Sequence, residues 1–519
     1  MPGWLGSLRE VYLRLDRRVL GVFRVALGAV LLYDLLRRFP DAALLWSSDG
    51  LLASETLKRA PQDPHQFSLL LYLSSASSVK LAFVGMGLVF LLYTLGLFSR
   101  AMQLLALLSY TSLNARNLFF EDGGTCCTIL LLCWTLLLPL GDRFSLDALR
   151  RDAQLASVKQ RTLRRALTKK PIFSLAALAV LLQAAVIYWL NAAHKSGSTW
   201  RGGDAVHLVL WQHRVNTPFA VWLSAHEPVW LSPLLTRLTR RTEFILPALL
   251  LWPTHPTQTR SAAFLIALGL HGGIALCLTL GPFSYAMICL LWLAVPGAAL
   301  DAGLRHLPTR GFWRLARYRA RAVRALRRLL PGRRRAAWSP PALWLRRAGG
   351  AREVVLAGML VVETASVLSS NRAVPRALRV SPPLWLLAYK PYLRGNQGWS
   401  MFAPNAPTED GTAVVDATTK DGRHIDPFTG RAPDPELVRR GLVPHHIAVS
   451  DYLLSMRDSH NARYRRGLAR YLQKLYPEDS PHAIKQVEVR WASYTPPARG
   501  SDEPSAIRQQ VLWKSRVGR

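Results

Sequence analysis

Hydrophobic positions along this chain are clustered rather than spread. After Lys170 and Pro171, residues 172 to 193 contain no charged side chain. A helix needs ~20 apolar residues to cross a ~30 Å hydrocarbon layer. Apolar runs recur at 19–36, 79–98, 101–117, 124–140, 172–192, 242–253, 261–280, 283–299 and 353–370, the third and sixth being short or polar. About nine spans are expected, so the fold class is mainly α, a polytopic transmembrane helical bundle. From residue 371 the pattern changes. Short strand-like runs such as 413–415 are broken by turns at Asp421-Gly422 and Asp426-Pro427, and helix-like runs follow at 449–476. That alternation predicts a small α+β C-terminal extramembrane domain.

Charge adds an orientation. The 519 residues include 66 Lys or Arg against 32 Asp or Glu, a net charge of +34. The loop 150–170 holds eight basic residues and one acid, Asp152, while fourteen arginines and no acid lie between Arg305 and Arg347. Short basic loops stay cytoplasmic. Threading nine spans from a cytoplasmic N-terminus puts both basic loops inside and the C-terminal domain outside. The expected organisation is a transmembrane core over 1–300, a basic cytoplasmic amphipathic segment and linker over 301–352, a further span and connector over 353–395, and an extracytoplasmic domain over 396–519. The first apolar run follows a mixed-charge segment and has no small-residue cleavage site after it, so a cleavable signal is not expected.

The arginines sit beside spans, where anionic lipid accounts for them better than nucleic acid does. Within 312–330, Arg314, Arg317, Arg321, Arg324 and Arg328 share one helical face and apolar residues another, as in a helix lying on the inner leaflet. The expected partners are therefore the bilayer and anionic lipid at this basic segment, with no nucleic acid. Arginine outnumbers lysine 55 to 11, which hints at a GC-rich bacterial genome and so at the bacterial inner membrane. The five cysteines all lie in apolar stretches, with no zinc spacing and no disulfide framework. An ordinary soluble enzyme, a disordered tail protein and a disulfide scaffold are excluded, and no metal site is indicated.

Ionisable residues inside apolar runs are costly and therefore candidates for function. Arg24 and Asp34 share the first run but stand ~15 Å apart along a helix, so each should need a partner on another helix. Glu243 opens the sixth run, His271 lies midway through the seventh and Glu363 midway through the ninth. Each could equally make a structural hydrogen bond between helices. Lys195 is the sharpest candidate. It ends an uninterrupted apolar helix, precedes Ser196-Gly197-Ser198-Thr199-Trp200, and is the only lysine between Lys170 and Lys390. Arginine cannot give up its proton in proteins, whereas lysine can. The competing reading is a lysine snorkelling to the headgroups with Trp200 as an interfacial anchor. His424, flanked by Asp421 and Asp426, reads as a polar turn before it reads as a metal ligand.

Four patches resemble the horizontally transferred transmembrane (HTTM) domain family, whose best-known member is the vitamin K-dependent γ-glutamyl carboxylase. Leu140-Gly141-Asp142-Arg143-Phe144-Ser145-Leu146-Asp147 resembles the family's segment after the fourth span. His194-Lys195 with Trp200 is similar to the carboxylase stretch in which a lysine precedes a tryptophan by five residues. His271 with Gly281, Phe283, Ser284 and Tyr285 resembles a further carboxylase spacing. Gly398-Trp399-Ser400-Met401-Phe402-Ala403-Pro404 resembles the signature of bacterial relatives. The resemblance covers roughly residues 10–300 and the tail motif.

It implies that Lys195 acts as base toward reduced vitamin K or another quinol, with His271 in a membrane-facing pocket. The reaction also takes O₂ and CO₂ and acts on a glutamate of a protein or peptide substrate. Where the carboxylase has an asparagine–histidine pair, this chain reads Glu121-Asp122-Gly123-Gly124, leaving Asp122 as the polar group. The tail lacks the large lumenal domain that grips a propeptide. Two other classes stay open: a non-catalytic scaffold or interaction protein using the tail, and a carrier of a small lipidic molecule. An enzyme calls for Lys195 and His271 on one enclosed cavity, a scaffold for packing that fills the space, and a carrier for a polar path to both faces. The Trp399–Pro404 patch is expected to be an aromatic plug docking the tail.

Overall fold

The computed structural model describes residues 4–59, 61, 63, 67–154, 170–306, 342–379, 397–440, 442, 447–456, 458–480, 482–501 and 503–516, with isolated positions between 317 and 325. Most of the expected amphipathic helix at 312–330 lies outside the described residues, as does the linker over 331–341.

Among the described residues the apolar runs fall on helices α1 (Arg17–Arg38), α2 (Ala76–Leu95), α3 (Ser99–Ala115), α4 (Gly123–Thr135), α5 (Leu175–His194), α6 (Leu231–Leu251), α7 (Pro256–Cys277), α8 (Phe283–Ala294) and α9 (Ala342–Ser370), with shorter helices between them. Each apolar run of the sequence coincides with one of them. Among the described residues five are long and apolar enough to cross a membrane: α1, α2, α5, α7 and the Gly349–Ser370 part of α9. A sixth is added if α8 and the Gly297–Arg305 helix, bent by 98°, count as one span. These helices mark the chain as membrane-embedded. Two expectations need correcting. α6 starts at Leu231 rather than 242, because Arg237, Arg240 and Arg241 break its apolar run but not its helix. Residues 342–350, read as linker, open α9.

Side-chain caps set the boundaries. Asp16 accepts from Arg18 N ahead of α1, Ser75 from Ser78 N ahead of α2, Asp122 from Thr125 N ahead of α4 and Ser174 from Ala176 N ahead of α5. Each oxygen satisfies one of the orphan N–H groups of a first turn. Burial then sorts the helices. Of the apolar windows, 61% is buried in α1 and 67% in α5, against 28% in α2 and 22% in α7 and α9. α1 and α5 are therefore inner helices, together with the shorter α4, buried from Gly124 to Thr135, and α8. α2, α7 and α9 turn Leu81, Leu88, Leu265 and Val361 outward, a surface suited to lipid tails and unsuited to water.

The tail carries a four-stranded antiparallel sheet in the order β4-β3-β5-β6, formed by β3 (Asp410–Thr419), β4 (His424–Ile425), β5 (Ile484–Tyr494) and β6 (Arg508–Arg516). β1 (Arg14–Leu15) and β2 (Ile172–Phe173) make a separate two-residue pair. Val415 faces Val489 across β3 and β5, and Gly422 at φ +83° turns β3 into β4. Helices Ile447–Ser455 and Arg465–Leu475 accompany the sheet. Phe119 packs edge-on against Tyr452 and Tyr464, so one hydrophobic cluster runs from the helical body into the tail.

Candidate functional site

α5 delivers Lys195. The helix ends at His194, and Lys195 leaves it at φ −76°, ψ 61°. Its Nζ lies 2.5 Å from Glu243 Oε1 on α6 and 4.6 Å above the Trp200 ring centroid. The side chain is 5% exposed, so it does not snorkel to water. Two opposite charges in an apolar setting find each other because neither can be solvated. Glu243 Oε2 is buried without a hydrogen-bond partner.

Two turns back on α5, Tyr188 OH lies 2.7 Å from His271 Nε2 on α7. His271 Nδ1 is buried with no partner, and Phe283 stands edge-on to the ring. Lys195, Trp200, Glu243, Tyr188 and His271 all line one cavity of about 440 Å³. Leu235, Leu270, Met287 and Phe402 are among its many apolar wall residues. A mostly apolar hollow with a few convergent polar groups is the usual form of a small-molecule site.

The Trp399–Pro404 patch does more than dock the tail. Met401 and Phe402 are part of the cavity wall. Met401 N donates to Asn191 Oδ1 at 2.9 Å, Trp200 Nε1 donates to Phe402 O at 2.7 Å, and Gly197 N donates to Pro404 O at 2.9 Å. Asn405 Oδ1 accepts from Thr199 N at 3.1 Å. The strap is thus bonded to residues on both sides of Lys195. Phe402 holds φ +54°, a conformation tolerated because these bonds over-determine it.

The other candidates sit elsewhere. Arg24 donates to the carbonyls of Thr94, Leu140, Arg143 and Phe144, so it organises the Leu140–Asp147 patch instead of pairing with an acid. Asp34 meets Arg37 and Arg38 at 2.7 Å each, on its own helix. Both arginines lie one turn away, and the expected partner on another helix is Tyr110 of α3, whose hydroxyl donates to Asp34 Oδ2 at 2.8 Å. Asp122 caps α4, and a Cβ on Gly281 would lie 2.7 Å from its Oδ2 and 2.8 Å from Arg37 Nη2. His194 turns away from the cavity, bonding Leu190 O and Ala373 N. Glu363 accepts from Gln397 at 2.7 Å, and Gln397 in turn bonds Gln183 and Trp399. His424 bonds Asp416 at 2.8 Å, and among the described residues no cluster could hold a metal ion. Cys277 alone of the cysteines lines the cavity.

Sequence reading missed Tyr188, Asn191 and Asn405, whose single polar atoms carry no periodic signal. It also missed a polar junction outside the helical body. There Asp410 accepts from His213 N at 2.9 Å and from Tyr494 OH at 3.3 Å. Burial pushes the Asp410 carboxyl up to about 7. Burial also lowers the His213 imidazole, opposed by its bond to Val438 O. Nearby, His207 bridges Glu227 at 2.5 Å and Pro497 O at 2.8 Å.

Comparison with known proteins finds no matching family, no matching curated relative and no matching solved structure.

Proposed function

We propose that the chain is a nine-span membrane enzyme of the HTTM type, related to the vitamin K-dependent carboxylase, in which Lys195 is the base toward a lipid-soluble reduced quinone. The supporting observation is the convergence of Lys195–Glu243 and Tyr188–His271 on one apolar cavity. In this reading the N-terminus is cytoplasmic, the tail lies outside, and the membrane is the bacterial inner one. The residues fit such a ligand. Aromatic walls from Trp200, Phe283 and Phe402 suit a flat ring, and Glu243 Oε2 and His271 Nδ1 are polar atoms still lacking a partner. When bound, reduced vitamin K or another quinol would supply, with O₂, the strong base that lets CO₂ add to a substrate carbanion.

The protein's own part is proton handling in a dry site. The Lys195 amine and the Glu243 carboxylate are in direct contact, so the amine can accept a proton from the ligand once its own has passed to Glu243. Tyr188 fixes the His271 ring, leaving Nδ1 for a ligand oxygen. A scaffold has no use for two unpartnered buried polar atoms. A carrier of a lipidic molecule is the second reading, favoured by the cavity's apolar lining.

Retention of a naphthoquinol by the purified protein tests the proposal. A Cβ on Gly269 or Gly273 meets nothing within 4 Å, and both residues line the cavity. Gly269→Leu and Gly273→Leu should therefore take up its space and cut retention. Gly358→Leu, equally open but on α9, should not. Equal retention by all three would refute the site.

A further inference from the structure

Three arginines stand along α6 where an apolar helix would bury carbon. Arg237, Arg240 and Arg241 occupy positions i, i+3 and i+4, which neighbour one another on a helix surface. Arg237 and Arg241 are exposed, and Arg240 is half-buried with its Nε lacking a partner. Among the described residues none of the three is ion-paired. Glu243, on the same helix, is committed to Lys195.

Their surroundings are apolar. Leu234, Leu238, Phe244 and Ile245 are exposed on the same helix. Leu238 is 47% exposed and Ile266 of α7 is 40% exposed, yet both also line the cavity. Leu238 and Ile266 thus belong both to the cavity wall and to the outer surface, and Leu238 follows Arg237 directly on α6. A water-facing helix would intersperse acids, and a tail-facing one would carry no arginine. Like charges at i and i+4 repel, and an unpaired guanidinium beside hydrocarbon is expensive. One kind of ligand relieves both costs: an amphiphile with an anionic head, which a guanidinium fork grips bidentately, and with chains to cover the leucines.

We propose that Arg237, Arg240 and Arg241 bind the phosphate of an anionic membrane lipid whose acyl chain lies over Leu234, Leu238 and Ile266 at the cavity mouth. The lipid would stand at the door through which any bilayer-borne ligand enters. The assignment goes beyond the Lys195 reading and does not depend on it.

Native mass spectrometry of the full chain, with phosphatidylglycerol and phosphatidylcholine offered in equal amounts, tests it. Wild type should retain phosphatidylglycerol preferentially. Arg237→Gln/Arg241→Gln, at exposed positions, should lose that preference roughly tenfold, and Arg237→Lys/Arg241→Lys should keep most of it. Excess inorganic phosphate should not displace the lipid. Unchanged retention in the glutamine variant, equal retention of phosphatidylcholine, or displacement by free phosphate would overturn the proposal. Lys195→Ala should retain the lipid like wild type, so lipid binding and Lys195 chemistry fail independently.

Discussion

Lys195 Nζ and Glu243 Oε1 lie 2.5 Å apart at the edge of an apolar cavity, joining the end of α5 to the middle of α6. The contact ties the two helices together and, in the proposed reaction, holds the proton that Lys195 gives up. The two roles separate by mutation. Lys195→Met strands a buried carboxylate and should cost ~3–5 kcal/mol, whereas Lys195→Met/Glu243→Leu should recover most of that loss. Denaturation in mild detergent checks the order. A double variant less stable than the single one would mean that the pair itself holds the helices together.

The strap 399–406 should control the lysine's surroundings. A Cβ on Gly197 would collide with the Asn405 side chain and lie 2.6 Å from Pro404 O. Gly197→Ala is therefore expected to lift Met401 and Phe402 from the cavity wall. Labelling of Lys195 by a water-soluble amine reagent should become several-fold faster, and Asn405→Ala should give a smaller effect in the same direction.

Asp410 gives the tail a pH dependence of unusual sign. Its carboxyl stands at about 7 in the folded chain against ~3.9 when unfolded. The folded form keeps its proton over that interval while the unfolded form loses it. The group's contribution is thus full below ~4 and lost as pH rises through about 7. Asp410→Asn keeps an acceptor for His213 N and Tyr494 OH. Its melting temperature should gain on wild type steadily between pH 5 and 7, with the gap level above pH 7. A gap independent of pH would contradict this.

Gly281 sits at φ +57° against Asp122 and Arg37. Gly281→Ala meets both a strained backbone, costing ~1–2 kcal/mol, and the two charged side chains. A stability loss of at least that size is expected, measured as loss of the folded protein's melting temperature.

Much of the helical body was legible because a bilayer forces long apolar runs. The run from 172 to 192 gave α5 to within a few residues, and the tail's turns at Asp421-Gly422 and Asp426 fell where the chain reverses. α6 was half-hidden, since hydropathy reads Arg237, Arg240 and Arg241 as the end of a span although helix hydrogen bonds ignore charge. The site was legible as separate residues only. Lys195, Glu243 and His271 stood out as costly in apolar runs, but which acid meets which base depends on helix packing. Arg24 and Asp34 show the limit: the first serves backbone carbonyls and the second two arginines of its own helix and Tyr110, and no spacing rule distinguishes such duties from catalysis.

In the proposed reaction Lys195 accepts a proton from a reduced quinone inside this cavity. Purified wild type and Lys195→Ala, reconstituted in lipid with a reduced naphthoquinone and oxygen, should differ in quinone epoxide formed, with the wild type active and the variant near background. Equal epoxide from both proteins, or none from a folded wild type that binds the quinol, would contradict it.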